Sequence, residues 1–293
     1  SSCSTATGPA ITPEEGDLDE ESRMELLLAT LPADLAERYL SAGTEFRKAW
    51  LLAQEGEDQQ ALESLAQVPE AERNTLFLFE RGALMARNGQ HNKARQDLQA
   101  ALTGEPDLFP AFDALVEVQV ATGQIGDLEK ILKQNLSEER FVGYCWARLS
   151  EIHAQRREFE PALAAGMKAL DEGISDQNLI MLCAQLLESF ERYDEAEAVL
   201  KRMPGGGCGG GVHPMLAEFW LRRGQNHNQS LESFKGALRQ ERDNPRWLLR
   251  IAQVYLAKGW RKEAAEQIEG LMRQRDLPEQ IRNEVKAVAD QLK

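Results

Sequence analysis

One spacing constrains this chain more than any other feature: a residue that is nearly always small returns about every 34 positions. It stands at Ala61, Ala94, Leu128, Ala162, Ala196, Ser230 and Ala264, with a first gap of 33 residues and five of 34. Companion columns keep step with it. Four positions later come Leu65, Leu98, Leu132, Gly166, Leu200, Phe234 and Ile268. Twelve positions earlier come Ala49, Gly82, Val116, Ser150, Ala184, Glu218 and Ala252. A glycine five places before the small residue recurs as Gly56, Gly89, Gly123 and Gly259. A fixed period of this length marks stacked copies of one supersecondary unit. Alanine, leucine and glutamate dominate and aromatics make up 6% of the chain, which favours helices over strands.

The residue types fit a pair of antiparallel helices in each period. Glycine serves the turn between them, where positive φ is needed. The small columns let helices approach closely, and bulky residues such as Met85, Phe112, Trp146, Leu187 and Tyr255 fill the space between units. One hairpin cannot bury its apolar face alone, so neighbours must stack. In period and pattern the chain resembles the tetratricopeptide repeat family over residues 42–278. The resemblance implies an all-α, right-handed superhelical solenoid of about seven helix hairpins, at 42–74, 75–108, 109–142, 143–176, 177–210, 211–244 and 245–278. Residues 279–293 are expected to form a C-terminal capping helix, with Ile281, Val285, Val288 and Leu292 in one stripe. Residues 20–41 are expected to cap the first unit, and residues 1–19 to be a disordered leader or tether. The sixth unit departs from the pattern. It has Glu218 and Ser230 in small columns and Gly224 one place early, and it follows a glycine-rich stretch within 203–214 that shortens both flanking helices. A second shortened helix is expected to end near Asn135.

The net charge of −14 argues against nucleic acid as a partner, since phosphate binding needs clustered Lys and Arg. The balance is uneven: residues 1–210 carry 19 basic against 37 acidic residues, and residues 211–293 carry 15 against 11. The C-terminal arginines read as a solvated face, with the docking of an acidic partner as the sharper alternative. No run of 18 apolar residues occurs, so no transmembrane segment is expected. Four scattered cysteines without a CxxC pair form neither a disulfide framework nor a zinc site. No metal or cofactor is expected. Cys208 and His213, in and just after the glycine-rich loop, are too few for zinc, and the glycines lack a phosphate-loop ending. An enzyme built on that pair is the alternative. With no Ser/His/Asp or HExxH arrangement, no catalytic residue is assigned and the chain reads as non-enzymatic.

What the resemblance implies is a groove lined by first helices that holds a protein or peptide partner. Carried onto this sequence, its positions include Phe46, Trp50 and Phe79 in the early units. Asp113, Glu117, Tyr144 and Glu151 follow in the middle, then Met181, Met215, Phe219, Arg222, Arg223 and Arg246. The Lys/Asn clamp by which chaperone-binding members hold a peptide carboxylate is not matched. Ser1-Ser2-Cys3 resembles the last three positions of a bacterial lipoprotein signal, and the polar, proline-containing stretch after Cys3 is similar to the tethers of such lipoproteins. That similarity implies a lipid on Cys3 and peripheral attachment to the outer membrane on its periplasmic side. It also implies a role in assembling an envelope complex for pili, secretion, outer-membrane proteins or polysaccharide export. A cytoplasmic adaptor or regulator without lipid is the alternative.

Overall fold

Seven times along the chain a first helix ends on a left-handed residue, and the next amide reaches back five residues to a helix carbonyl. The left-handed residues are Gly56, Gly89, Gly123, Arg157, Glu191, Gly224 and Gly259, with φ between +58° and +81°. The amides of Glu57, Gln90, Gln124, Glu158, Arg192, Gln225 and Trp260 close the motif at 2.8–2.9 Å. This 6→1 bond satisfies a carbonyl that the helix end would otherwise leave unpaired.

The computed structural model describes residues 19–204 and 211–293, and among these every regular element is helical. Two short helices, α1 (Glu20–Leu28) and α2 (Ala33–Leu40), come first. Hairpins follow as α3 (Thr44–Gln54) with α4 (Asp58–Gln67), α5 (Thr75–Arg87) with α6 (His91–Gly104), and α7 (Phe109–Ala121) with α8 (Ile125–Ser137). Then come α9 (Val142–Gln155) with α10 (Phe159–Asp171), and α11 (Gln177–Ser189) with α12 (Tyr193–Leu200). The last pairs are α13 (Pro214–Arg222) with α14 (His227–Gln240), and α15 (Pro245–Ala257) with α16 (Arg261–Met272). A single helix, α17 (Glu279–Leu292), closes the chain. The chain divides into two units, residues 1–130 and 131–293, with the boundary inside α8.

The periodic columns are the helix contacts. Every member of the small column is at most 1% exposed. At Gly166 even a methyl would be too large: a Cβ there would lie 2.5 Å from Cys183 Sγ and 2.9 Å from Ser150 Oγ. The hydroxyls in these columns are satisfied across each hairpin, Ser150 donating to the Ala162 carbonyl at 2.8 Å and Ser230 to that of Ala217 at 3.2 Å. In the first unit the core runs from Met24 and Leu28 of α1 through Tyr39, Trp50 and Phe77. In the second, one cluster joins α10–α13, and another packs α17 on α15 and α16 through Val285 and Val288.

Two local expectations are refined. Gly224 does end α13 one place early, but Asn226, at φ +47°, adds a residue to the turn and restores the register at His227. The helix expected to stop near Asn135 continues to Ser137. Asn135 is buried, donates to the Ile131 carbonyl at 3.0 Å and accepts from Arg140 at 3.1 Å, so its amide costs no unpaired group.

Arg157 and Glu191 hold the same backbone state as the five glycines, at φ +61° and +58°. A side chain in that region costs about 1–2 kcal/mol, and glycine's extra unfolded-state entropy takes back about 0.5–1 kcal/mol. Both side chains are exposed. Arg157→Gly and Glu191→Gly are therefore each expected to stabilise by about 0.5 kcal/mol, while Gly224→Ala destabilises. Thermal melts of the three single variants check this. Lower melting of both glycine variants would contradict it.

Candidate functional site

Along the first helices of residues 131–293, opposite charges face one another one unit apart. Arg222 on α13 donates through Nη2 to both oxygens of Glu188 on α11, at 2.8 and 3.0 Å. Glu218, also on α13, accepts from Arg246 Nε and Nη2 at 2.9 and 2.7 Å and from Arg250 Nε at 2.9 Å. Arg250 then reaches Gln253 Oε1 at 3.0 Å and Glu284 on α17. The Glu218 side chain is only 8% exposed and that of Arg250 17%. Burial would raise the Glu218 carboxyl, but the hydrogen bonds and charges of Arg246 and Arg250 hold it below the usual carboxylate range. The glutamate in a small column is thus accommodated by two guanidinium groups from the next first helix.

Over this network α13, α15 and α17 enclose an open pocket of about 540 Å³. Its apolar wall is Leu221, Leu256, Ala257 and Val288, and its polar lining includes Gln253 and Gln291. Helix α17 sits in register as a further first helix: it starts at 279, and α15 starts at 245, a step of 34.

The expected groove residues divide sharply. Phe46, Trp50 and Phe219 are core side chains, 4%, 6% and 1% exposed, so their placement on an open face is corrected. The cause is local cover: Tyr39 of α2 packs on Phe46 and Trp50, with ring centroids at 6.1 and 5.1 Å. Phe219 joins the cluster of Leu187, Leu200 and Met203. Phe79 and Met181 are half-buried against their own units' cores. Asp113 is half-buried and Glu117 exposed, and both are engaged within the chain. Tyr144 and Glu151 are joined through Arg148, which donates to them at 3.1 and 3.0 Å. Met215 meets Arg246 Nη2 at 3.5 Å, and the Arg223 guanidinium lies 3.7 Å from the centre of the Tyr193 ring. Of the C-terminal arginines, Arg222 and Arg246 are paired with Glu188 and Glu218, while Arg239 and Arg242 are exposed.

His213 is a helix cap: its Nδ1 accepts from the Met215 amide at 3.2 Å, and burial lowers its pKa. Cys3 and Cys208 lie outside the described residues. Among the described residues no cluster of three or more His, Cys, Asp or Glu could hold a metal ion, and no helix is long and apolar enough to cross a membrane.

Seven helix hairpins, each turning on a left-handed residue, recur every 33–35 residues with one column buried throughout. The fold is a tetratricopeptide-repeat array. No protein-family model and no curated protein matches the sequence. Similar solved structures include a tetratricopeptide repeat protein from Parabacteroides merdae, 16% identical, covering 86% of this chain and 99% of that one at a TM-score of 0.47. Another is the C-terminal part of a TPR protein from Cytophaga hutchinsonii, 12% identical, covering 84% and 93% at 0.48. A third is YrrB, a TPR protein with an unusual peptide-binding site, 14% identical, covering 78% and 97% at 0.39.

Within this array several pocket residues lie outside the expected groove set, chiefly Leu221, Leu256, Ala257 and the α17 residues Glu284, Val288 and Gln291. Of the α17 residues Glu284 carries a sequence signal, because it and Arg250 are oppositely charged one 34-residue period apart, as are Glu188 and Arg222.

Proposed function

We propose that the chain is a non-enzymatic interaction scaffold that seats a segment of a partner protein in the pocket formed by α13, α15 and α17. The observation that carries this reading is the pocket itself: about 540 Å³, open to solvent, walled by apolar side chains and bordered by fixed polar groups. That combination gives contact area together with orientation, and the size falls in the range of ligand sites.

The setting we propose is the bacterial envelope, with lipid on Cys3 holding the array at the outer membrane while it assists assembly of an envelope complex. The support is the Ser1-Ser2-Cys3 sequence with its polar, proline-containing continuation. One acyl group binds membranes only marginally, so a diacylated cysteine is required for stable attachment.

Two measurements test the proposal. A photoreactive amino acid at Gln291 is expected to cross-link one discrete partner in cells, while the same probe at exposed Gln229 on α14 does not. Equal labelling from both positions would remove the pocket reading. Mass spectrometry of the native N-terminus is expected to find diacylglyceryl on Cys3, and an unmodified thiol there would move the protein to the cytoplasmic adaptor alternative.

A further inference from the structure

The pocket's charges are internally matched, and this bears on what can sit in it. Arg250 is held between Glu218, Gln253 and Glu284, and its side chain is 17% exposed. An acidic side chain that recruited Arg250 would strand a buried carboxylate, and a basic one that recruited Glu218 would strand a guanidinium. At the mouth, Arg222 is already paired with Glu188. The four charged residues of the lining, Glu218, Glu284, Arg222 and Arg250, sum to zero. A strongly charged segment therefore finds no free counter-charge here, although residues 211–293 as a whole carry an excess of basic residues.

The remaining lining says what form the segment takes. A helix satisfies its own backbone and asks only for a continuous apolar stripe. Here the apolar wall of Leu221, Leu256, Ala257 and Val288 is interrupted by Gln253 and Gln291. Gln253 accepts from Arg250 through Oε1, which leaves its amide NH2 to donate. Gln291 lies at the exposed rim, and its side-chain amide can both donate and accept. These groups suit the unpaired carbonyls and amides of an extended strand.

The geometry points to an uncharged, extended peptide segment with apolar side chains as the occupant, its side chains on the Leu221–Leu256–Val288 wall and its backbone on the amides of Gln253 and Gln291. This rests on the scaffold reading and gives that site its ligand chemistry. Affinity then comes from apolar contact and backbone hydrogen bonds, so it should be nearly independent of salt.

Random twelve-residue peptides displayed on phage, selected on the full chain, test it. Enriched peptides are synthesised and titrated by fluorescence anisotropy against the wild type, Ala257→Arg and Gln291→Arg. Both substituted positions are exposed, and circular dichroism verifies that each variant is folded. The expected result is enrichment of segments free of Asp, Glu, Lys and Arg. Binding should weaken at least about 10-fold in both variants, as truncating or blocking a central contact does, and change less than about 2-fold between low and high salt. Charged peptides that the two variants reject would overturn the ligand assignment while leaving the scaffold intact. Peptides that bind the variants as well as the wild type would place docking elsewhere on the array. If no peptide is enriched, the ligand assignment falls, and cross-linking from Gln291 decides the scaffold reading separately.

Discussion

Arg250→Ala is expected to destabilise residues 131–293 by about 3 kcal/mol, the low end of what breaking a buried ion pair costs. The residue touches three partners on three helices: Glu218 on α13, Gln253 on its own α15 and Glu284 on α17. Removing it leaves Glu218, 8% exposed, with Arg246 alone, and leaves Glu284 facing Glu218 without the shared cation. Retention of the Arg246 pair, at 2.7 and 2.9 Å, keeps the loss from being larger. A second substitution tests whether the pair is needed for stability as such. Glu218→Ala restores the residue type of Ala49, Ala184 and Ala252 in the same column. Combined with Arg250→Met it replaces the buried charges by apolar groups, and such exchanges are often neutral. The double variant is therefore expected to recover most of the loss. Urea unfolding followed by helical circular dichroism of the wild type, Glu218→Ala, Arg250→Met and the double variant gives the four corners of the cycle. A double variant no more stable than Arg250→Met alone would show that the network is required for packing. Acid should act in the same direction as the single substitution. Because the folded Glu218 carboxyl sits below its unfolded value, its stabilisation is present at neutral pH and is lost as pH falls through the folded value.

The repeat was legible because its determinants are steric and periodic. The small column and the four glycines at Gly56, Gly89, Gly123 and Gly259 can be read directly, since helix contact and positive φ each restrict residue type. The turns at Arg157 and Glu191 carry no such mark: the motif forces left-handed φ on ordinary residues, and only the period implies it. The groove was legible in part. A column position tells which side of a helix a residue occupies, but not whether a neighbouring element covers it. Phe46 and Trp50 lie in groove columns and are buried because α2 packs Tyr39 over them. Phe219 is buried against Leu187 and Leu200 of the preceding hairpin. The same limit applies to charge. Arg222, Arg246 and Arg250 read as part of a basic face until Glu188, Glu218 and Glu284 are seen opposite them. Two of those pairs, Glu188 with Arg222 and Arg250 with Glu284, were present in the sequence as opposite charges 34 residues apart, a stronger guide at these positions than the local balance of acid and base.

Glu80→Gln is expected to raise the stability of residues 1–130 at pH 8 by up to about 3 kcal/mol, and to remove a pH dependence expected of the wild type between pH 4.5 and 7. Glu80 lies on α5, half-buried, and accepts a hydrogen bond from the Tyr39 hydroxyl, whose ring packs on Trp50 and Phe46. Burial pushes the carboxyl up from 4.5 to about 7, against the hydrogen bonds of Tyr39 and Trp50 and the charge of Arg87, which pull it down. The folded value lies above the unfolded one, so the folded chain binds the extra proton. Stability is then greatest below the unfolded value, falls as pH rises through the window from 4.5 to 7, and is level above it. A tenfold difference in proton affinity between the folded and unfolded chain is worth about 1.4 kcal/mol, which sets the upper limit of the effect. Glutamine keeps an oxygen for the Tyr39 hydroxyl and carries no charge to desolvate. Glu105 and Glu218 are shifted downward, so their contributions change at lower pH and are common to both proteins. Thermal melts of wild type and variant at pH 4.5, 6, 7 and 8 isolate the effect as a difference. The two curves should meet near pH 4.5 and separate up to pH 7. Parallel curves, or a variant that melts lower at pH 8, would mean that the ionised carboxylate contributes more to this core through Tyr39 and Arg87 than its burial costs.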